Sequence, residues 1–66
     1  MFKLGINADR IDLHVAGSLL VAALNMEGIQ VVSKPYWHEA DLVLNVDSIH
    51  NTKLYRGKKT AYWEID

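Results

Sequence analysis

The chain has 66 residues, of which 50% are apolar, a formal net charge of −1 and no cysteine. This length accommodates one small domain, residues 1–66, and the lack of cysteine excludes disulfides and thiolate metal sites. The near-neutral charge provides no general attraction to nucleic acid or to anionic membranes, and no apolar run is typical of a signal peptide or a membrane span. We therefore expect a cytoplasmic protein that binds neither nucleic acid nor membrane.

The first part of the sequence predicts a strand followed by a long helix. Residues 2–6 form a short, mostly apolar run bounded by turn-forming residues, which is typical of a buried strand. A helix is expected over residues 10–27, with Asp9 as its N-cap and Gly28 as a left-handed C-cap. Gly17 lies inside this helix at a cost of about 1 kcal/mol relative to alanine, which indicates a close approach to a strand.

The predicted helix has one broad apolar face. At about 3.6 residues per turn, His14, Ser18 and Asn25 fall on the opposite, polar side, and we assign His14 no role. We expect the apolar face to pack flat against a sheet. Its members are Val15, Ala16, Leu19, Leu20, Ala23, Leu24 and Met26.

Three further strands are expected. Residues 29–33 complete a strand, helix and strand of the spacing of a βαβ unit, so we expect the first two strands to be parallel and the crossover to be right-handed. The next connection, residues 34–40, is too short for a full helix. Residues 41–46 predict a strand buried on both faces. A polar loop with a helical turn around residues 49–55 then leads to a final strand over residues 58–65.

These elements predict an α/β fold, a small open and mainly parallel four-stranded Rossmann-like sheet in the order 2-1-3-4 with one long helix on one face. The other face has no second helix. Since large exposed apolar patches usually mark interaction surfaces, we expect Tyr36, Trp37, Tyr55 and the strand residues of that face to be covered by a second copy, forming a homo-oligomer, or by further sequence.

The carboxyl ends of four parallel strands would gather polar residues at one edge of the sheet, where open α/β sheets bind ligands. The alternative is that these are solvated loop residues. The first turn lacks the G-x-G-x-x-G spacing, which disfavours a dinucleotide site. Arg10 would either bind an anion there or pair with neighbouring aspartates. The gathered residues are Asn7, Asp9, Arg10, Ser33, Lys34, Asp47, Ser48, His50, Glu64 and Asp66.

Asp47 and His50 are spaced so that a carboxylate could orient an imidazole as a general base. Alternatively, Asp47 caps the turn that follows it. Oxygen ligands from Asp47, Glu64 and Asp66 would suit a divalent cation. The three histidines form no dense ligand cluster, however, and we assign no metal site.

Aromatic and basic residues offer two further hypotheses. The aromatic residues Trp37, Tyr55, Tyr62 and Trp63 would stack on a base or sugar, or else close the core or an interface. The basic residues Lys53, Arg56, Lys58 and Lys59 form either a solvated loop or a phosphate contact.

Two stretches carry a family resemblance. The sequence A-D-L-V-L-N-V-D at residues 40–47 and A-Y-W-E-I-D at residues 61–66 resemble the amino-terminal domain of spore-maturation-type glycosyltransferases, in which a histidine-containing loop joins two such strands. The resemblance implies a GT-B-like enzyme of two facing Rossmann-like domains. The first domain contributes mainly acceptor contacts, and the second, which this chain lacks, holds the nucleotide-sugar donor.

The leading functional hypothesis is therefore the amino-terminal segment of a glycosyltransferase that binds no cofactor itself and does not transfer sugar alone. The resemblance implies that Asp47, His50 and Asp66 face the interdomain cleft. We predict catalytic roles for Asp47 and His50, and substrate contacts for Asn7, Asp9, Arg10 and Asp66.

Two alternatives belong to other classes. The first is a stand-alone, self-associating interaction module without catalysis, and the second is a small nucleotide-binding domain. The chain ends at Asp66, directly after its predicted last strand, so we expect it to be part of a larger protein.

Overall fold

The computed structural model describes residues 1–8, 13–48, 53–57 and 59–65. Within these residues the chain forms strands, one α-helix and a short 3₁₀ helix. In chain order they are β1 (Phe2–Ala8), α1 (Leu13–Leu24), β2 (Ile29–Val32), the 3₁₀ helix (Lys34–Glu39), β3 (Leu42–Ser48) and β4 (Thr60–Ile65).

The strands form one four-stranded sheet in the order β2-β1-β3-β4. Every neighbouring pair is parallel, which confirms the predicted α/β fold and strand order. The chain first steps from β1 outward to β2 and then returns past β1 to β3. Asp41 fixes this return, because its backbone N–H donates to the Lys3 carbonyl at 2.8 Å and its Oδ2 accepts the Lys3 N–H at 2.7 Å.

Strands β1 and β3 are longer than predicted, because they pair with their neighbours beyond the predicted ends. β1 continues through Asn7 and Ala8, since these residues pair with Asn45 and Val46 of β3. β3 continues to Ser48 because it pairs with the end of β4. Residues 53–55 are not helical, and residues 49–52 lie outside the described residues, so the helical turn expected around residues 49–55 stays a prediction.

Helix α1 ends at Leu24, earlier than predicted, and a turn carries the chain into β2. Gly28 takes the predicted left-handed conformation, with φ of 81°, and its carbonyl accepts the Phe2 N–H at 2.8 Å. The predicted N-cap Asp9 lies outside the described residues. In the described part of the chain, no helix is both long enough and apolar enough to cross a membrane.

Only part of the predicted apolar face of α1 is buried. Ala16 and Ala23 are buried, whereas Leu20, Leu24 and Met26 are exposed. The helix packs mainly over β1 and β2, so it spans half of the sheet. The predicted packing of this face against the sheet therefore involves its alanines and the half-buried Val15 and Leu19, while its other large side chains remain exposed.

The close approach predicted at Gly17 occurs at Gly5 instead. A Cβ at Gly17 would meet nothing within 4 Å, whereas a Cβ at Gly5 would lie 2.7 Å from Cδ1 of Trp37. The Trp37 indole thus rests directly on β1 beside Val43. Trp37 is 9% exposed and meets Tyr55 edge-on, with ring centroids 5.4 Å apart.

The centre of the sheet is buried on both sides. Val43 and Val46 are almost fully buried, and alternation along β3 places them on opposite faces, as predicted for a strand buried on both sides. Trp37 and Tyr55 cover the Val43 face from within the chain, while Tyr36 remains exposed. The homo-oligomer expected on this face stays a prediction.

Candidate functional site

The parallel sheet brings the carboxyl ends of its strands to one side, which we call the carboxyl edge. Asn7 and Ala8 end β1, Ser33 and Lys34 follow β2, and Asp47 lies near the end of β3. Because β1 and β3 are neighbours and the chain reverses its winding direction between them, this edge contains a topological switch point. Asn7 and Asp47 thus lie where open α/β sheets bind ligands.

Asn45 organises the polar groups beneath this edge. Its Oδ1 accepts hydrogen bonds from Asn7 Nδ2 at 2.7 Å and from the Tyr55 backbone N–H at 2.9 Å. Its Nδ2 donates to the carbonyls of Tyr55 and Ala61 at 3.2 and 3.3 Å. One buried amide therefore joins β1, β4 and residues 53–57 to β3. This role was not predicted from the sequence, although a lone asparagine in a buried apolar strand needs such partners.

Asn7 is bonded to its own chain through its amide nitrogen. Besides Asn45, Nδ2 donates to the carbonyl of Lys53 at 2.9 Å. Since both Nδ2 hydrogens have acceptors, the nitrogen positions the segment that begins at Lys53. A substrate would meet Asn7 through its carbonyl oxygen.

Asp47 is a buried carboxylate at the carboxyl edge, only 2% exposed. The Tyr62 hydroxyl donates to its Oδ2 at 2.7 Å. Burial of a carboxylate is unfavourable unless hydrogen bonds replace its hydration, so the Tyr62 hydroxyl stabilises Asp47 in this position. Tyr62, considered from the sequence as a stacking residue, is thus a hydrogen-bond donor. The burial of Asp47 favours a positioning role over direct contact with a substrate.

Four predicted site residues, Asp9, Arg10, His50 and Asp66, lie outside the described residues, and their roles stay predictions. Among the residues that are described, no group of three or more His, Cys, Asp or Glu side chains is arranged to hold a metal ion.

Two cavities open at the carboxyl edge. The larger, which we call the helix cavity, has a volume of about 580 Å³ and lies between α1 and the ends of β1 and β2. The smaller, the lysine cavity, has a volume of about 360 Å³ and lies beside residues 53–55. Both are lined by Asn7, Ala8, Lys34 and Trp37.

Comparisons with protein-family models, with curated proteins and with solved structures found no match. The resemblance to spore-maturation-type glycosyltransferases therefore stays a prediction that depends on residues 40–47 and 61–66.

Proposed function

We propose that this chain is the acceptor-side α/β unit of a glycosyltransferase whose nucleotide-sugar donor binds to another domain. The observation that carries the proposal is the placement of Asn7 and Asp47 on adjacent parallel strands at the switch point of the sheet. Ligands of open α/β sheets bind at this position. The resemblance of residues 40–47 and 61–66 to glycosyltransferases indicates the class of reaction, which is sugar transfer.

Sugar transfer requires removal of a proton from the acceptor hydroxyl as it attacks the anomeric carbon. In this proposal, His50 accepts that proton and Asp47 is a positioning residue that orients the His50 imidazole. The burial of Asp47 and its hydrogen bond from Tyr62 support the positioning role. Asn7, Asp9, Arg10 and Asp66 would contact the acceptor. In this proposal these residues do not transfer sugar by themselves, since the nucleotide-sugar donor binds to the other domain.

The first test is an NMR titration of the ¹⁵N-labelled chain with neutral mono- and disaccharides and, separately, with UDP-glucose. We expect saccharides to shift the amide signals of Asn7 and Asp47 and to leave Tyr36, on the exposed 3₁₀ helix, unchanged. UDP-glucose is expected to shift no amide signals other than those that free glucose shifts. Specific binding of the nucleotide, or no saccharide shift at the carboxyl edge, would contradict the proposal.

The second test uses the native gene product. Its intact mass establishes whether these residues belong to a larger enzyme, in which sugar transfer is then assayed. We expect His50→Ala to lower kcat by about 100-fold or more, the usual contribution of a general base. A matched control is His14→Ala, on the exposed part of α1. Equal kcat values for the two variants would show that His50 is not the general base.

A specific observation favours the alternative of a self-associating interaction module. Several large apolar side chains of α1 and its following turn are exposed, including Leu24 at 64%. Apolar side chains exposed along one helix offer a surface for a second copy, whereas the sequence placed self-association on the uncovered face of the sheet. Sedimentation equilibrium would show a concentration-dependent dimer that Leu24→Lys dissociates. A monomer at all concentrations would exclude this alternative.

A further inference from the structure

The helix cavity and the lysine cavity meet at Lys34. Four residues line both cavities, and Lys34 and Trp37 are two of them. The lining residues that the two cavities do not share differ in polarity. Ala16, Leu20 and Val31 make the helix cavity mainly apolar, whereas Lys53 adds a second positive charge to the lysine cavity.

The two lysines place positive charge at the lysine cavity. Neither cavity has a carboxylate among its described lining residues. Lys34 and Lys53 also form no ion pair with another described residue. The ion pair between His38 and Glu39 lies outside both cavities. Two ammonium groups at the rim of one cavity attract an anion, and a phosphate or carboxylate can accept hydrogen bonds from both.

The apolar part of the helix cavity is open to solvent. Leu20 is 38% exposed and Leu24 is 64% exposed, although both line a concave surface. Covering this apolar surface removes it from water, which is favourable. A cavity volume of about 580 Å³ also falls within the range of small-molecule sites. An occupant with an apolar chain therefore fits this part.

We propose that the joined cavities bind an anionic amphiphile. Its phosphate or carboxylate head group lies between Lys34 and Lys53, and its apolar chain lies in the helix cavity against Leu20. An inorganic anion would leave the apolar surface exposed, and a neutral apolar molecule would leave the ammonium groups without a partner. The inference goes beyond the proposed function, because binding at these residues does not require sugar transfer.

The test is calorimetric titration of the chain with octyl phosphate, inorganic phosphate and octanol, all below micellar concentrations. We expect octyl phosphate to bind about tenfold more tightly than either of the others, because only it uses both parts of the site. Octanoate, titrated in parallel, distinguishes a carboxylate from a phosphate head group, and the tighter of the two identifies the ligand class. Equal affinity for octyl phosphate and inorganic phosphate, or for octyl phosphate and octanol, would overturn the proposal.

Variants locate the site. Lys34→Gln and Lys53→Gln are each expected to weaken octyl phosphate binding about two- to fivefold, the effect of an exposed charge pair. Lys59→Gln is the matched control, since Lys59 lines a separate cavity with Met1 and Phe2 at the opposite end of the sheet. An equal effect of Lys59→Gln would show non-specific attraction and overturn the proposal.

The apolar part is tested separately. Leu20→Ser is expected to weaken octyl phosphate binding and to leave inorganic phosphate binding unchanged. NMR shift mapping on the unsubstituted chain keeps the test independent of variant folding. Octyl phosphate is expected to shift the amide signals of Ala16, Val31 and Lys34, and shifts confined to other regions would contradict the proposal.

Discussion

Gly5 allows the Trp37 indole to lie directly on the backbone of β1. A Cβ at this position would lie 2.7 Å from Cδ1 of Trp37 and 3.1 Å from Cγ2 of Val43. The indole Nε1 is buried and has no hydrogen-bond partner in the described part of the chain. An unpaired buried N–H is unfavourable, so the apolar contacts of the ring must outweigh it.

Gly5→Ala is expected to lower the free energy of unfolding by about 1–3 kcal/mol, because the added methyl group overpacks the Trp37 contact. Gly17→Ala is the matched control. A Cβ there meets nothing within 4 Å, and alanine is favoured over glycine inside a helix by about 1 kcal/mol, so this variant should be more stable. Urea unfolding of both variants gives the comparison, and equal stability of the two would refute the close packing at Gly5.

At the same scale, Tyr62→Phe removes the hydroxyl that donates to Asp47. Since Asp47 is buried, we expect a loss of about 1–3 kcal/mol in the free energy of unfolding. Tyr36→Phe is the control, because Tyr36 is exposed on the 3₁₀ helix. Similar urea midpoints for both variants would mean that the Tyr62 hydroxyl does not stabilise Asp47.

At the level of elements, residues 53–57 are attached to the sheet through side-chain amides. Asn45 binds both backbone groups of Tyr55, and Asn7 binds the carbonyl of Lys53. This segment then carries Tyr55 against Trp37. The cover over one face of the sheet therefore depends on two asparagines in adjacent strands.

Asn45→Ala is expected to lower the free energy of unfolding by about 1–3 kcal/mol, because it leaves part-buried backbone groups without their partner. Hydrogen exchange of the Tyr55 amide should accelerate at the same time. Asn25→Ala is the control: its side chain donates to the Val21 carbonyl at the exposed end of α1, where substitutions usually change stability by less than about 0.5 kcal/mol. Unchanged exchange at Tyr55 would contradict the anchoring role.

At the scale of the whole molecule, the core is small. A chain of this length buries only about 60% of the surface that its unfolded form exposes, so its stability is marginal. Trp37 is the largest side chain among the buried apolar residues that the structure describes. Because Trp37 lies in the 3₁₀ helix and contacts both β1 and Tyr55, this one ring covers much of the Val43 face of the sheet.

Trp37→Ala is expected to lower the free energy of unfolding by about 3–5 kcal/mol. A loss of this size is enough to unfold a domain of marginal stability at room temperature. Trp63→Ala provides the control, since Trp63 is about half exposed on β4. Circular dichroism with thermal melting measures both. A cooperative melt of the Trp37 variant near that of the unsubstituted chain would show that the ring is not central to the core.

The sequence by itself determined the elements and the strand order. Apolar runs of strand length, the glycine after α1 and the right-handed crossover rule depend on local pattern and chain direction. They made a parallel sheet in the order 2-1-3-4 the simplest prediction, which the structure confirms. From that order the placement of Asn7 and Asp47 at one edge also followed.

Only the tertiary structure decided which side chains meet. The hydrogen bond from Asn7 to Asn45 joins residues 38 apart in sequence, and that from Tyr62 to Asp47 joins residues 15 apart. Such contacts depend on strand register and on the exact position of a packed ring, which hydrophobic periodicity does not encode. For the same reason the close approach expected at Gly17 was found at Gly5, where Trp37 crosses the sheet.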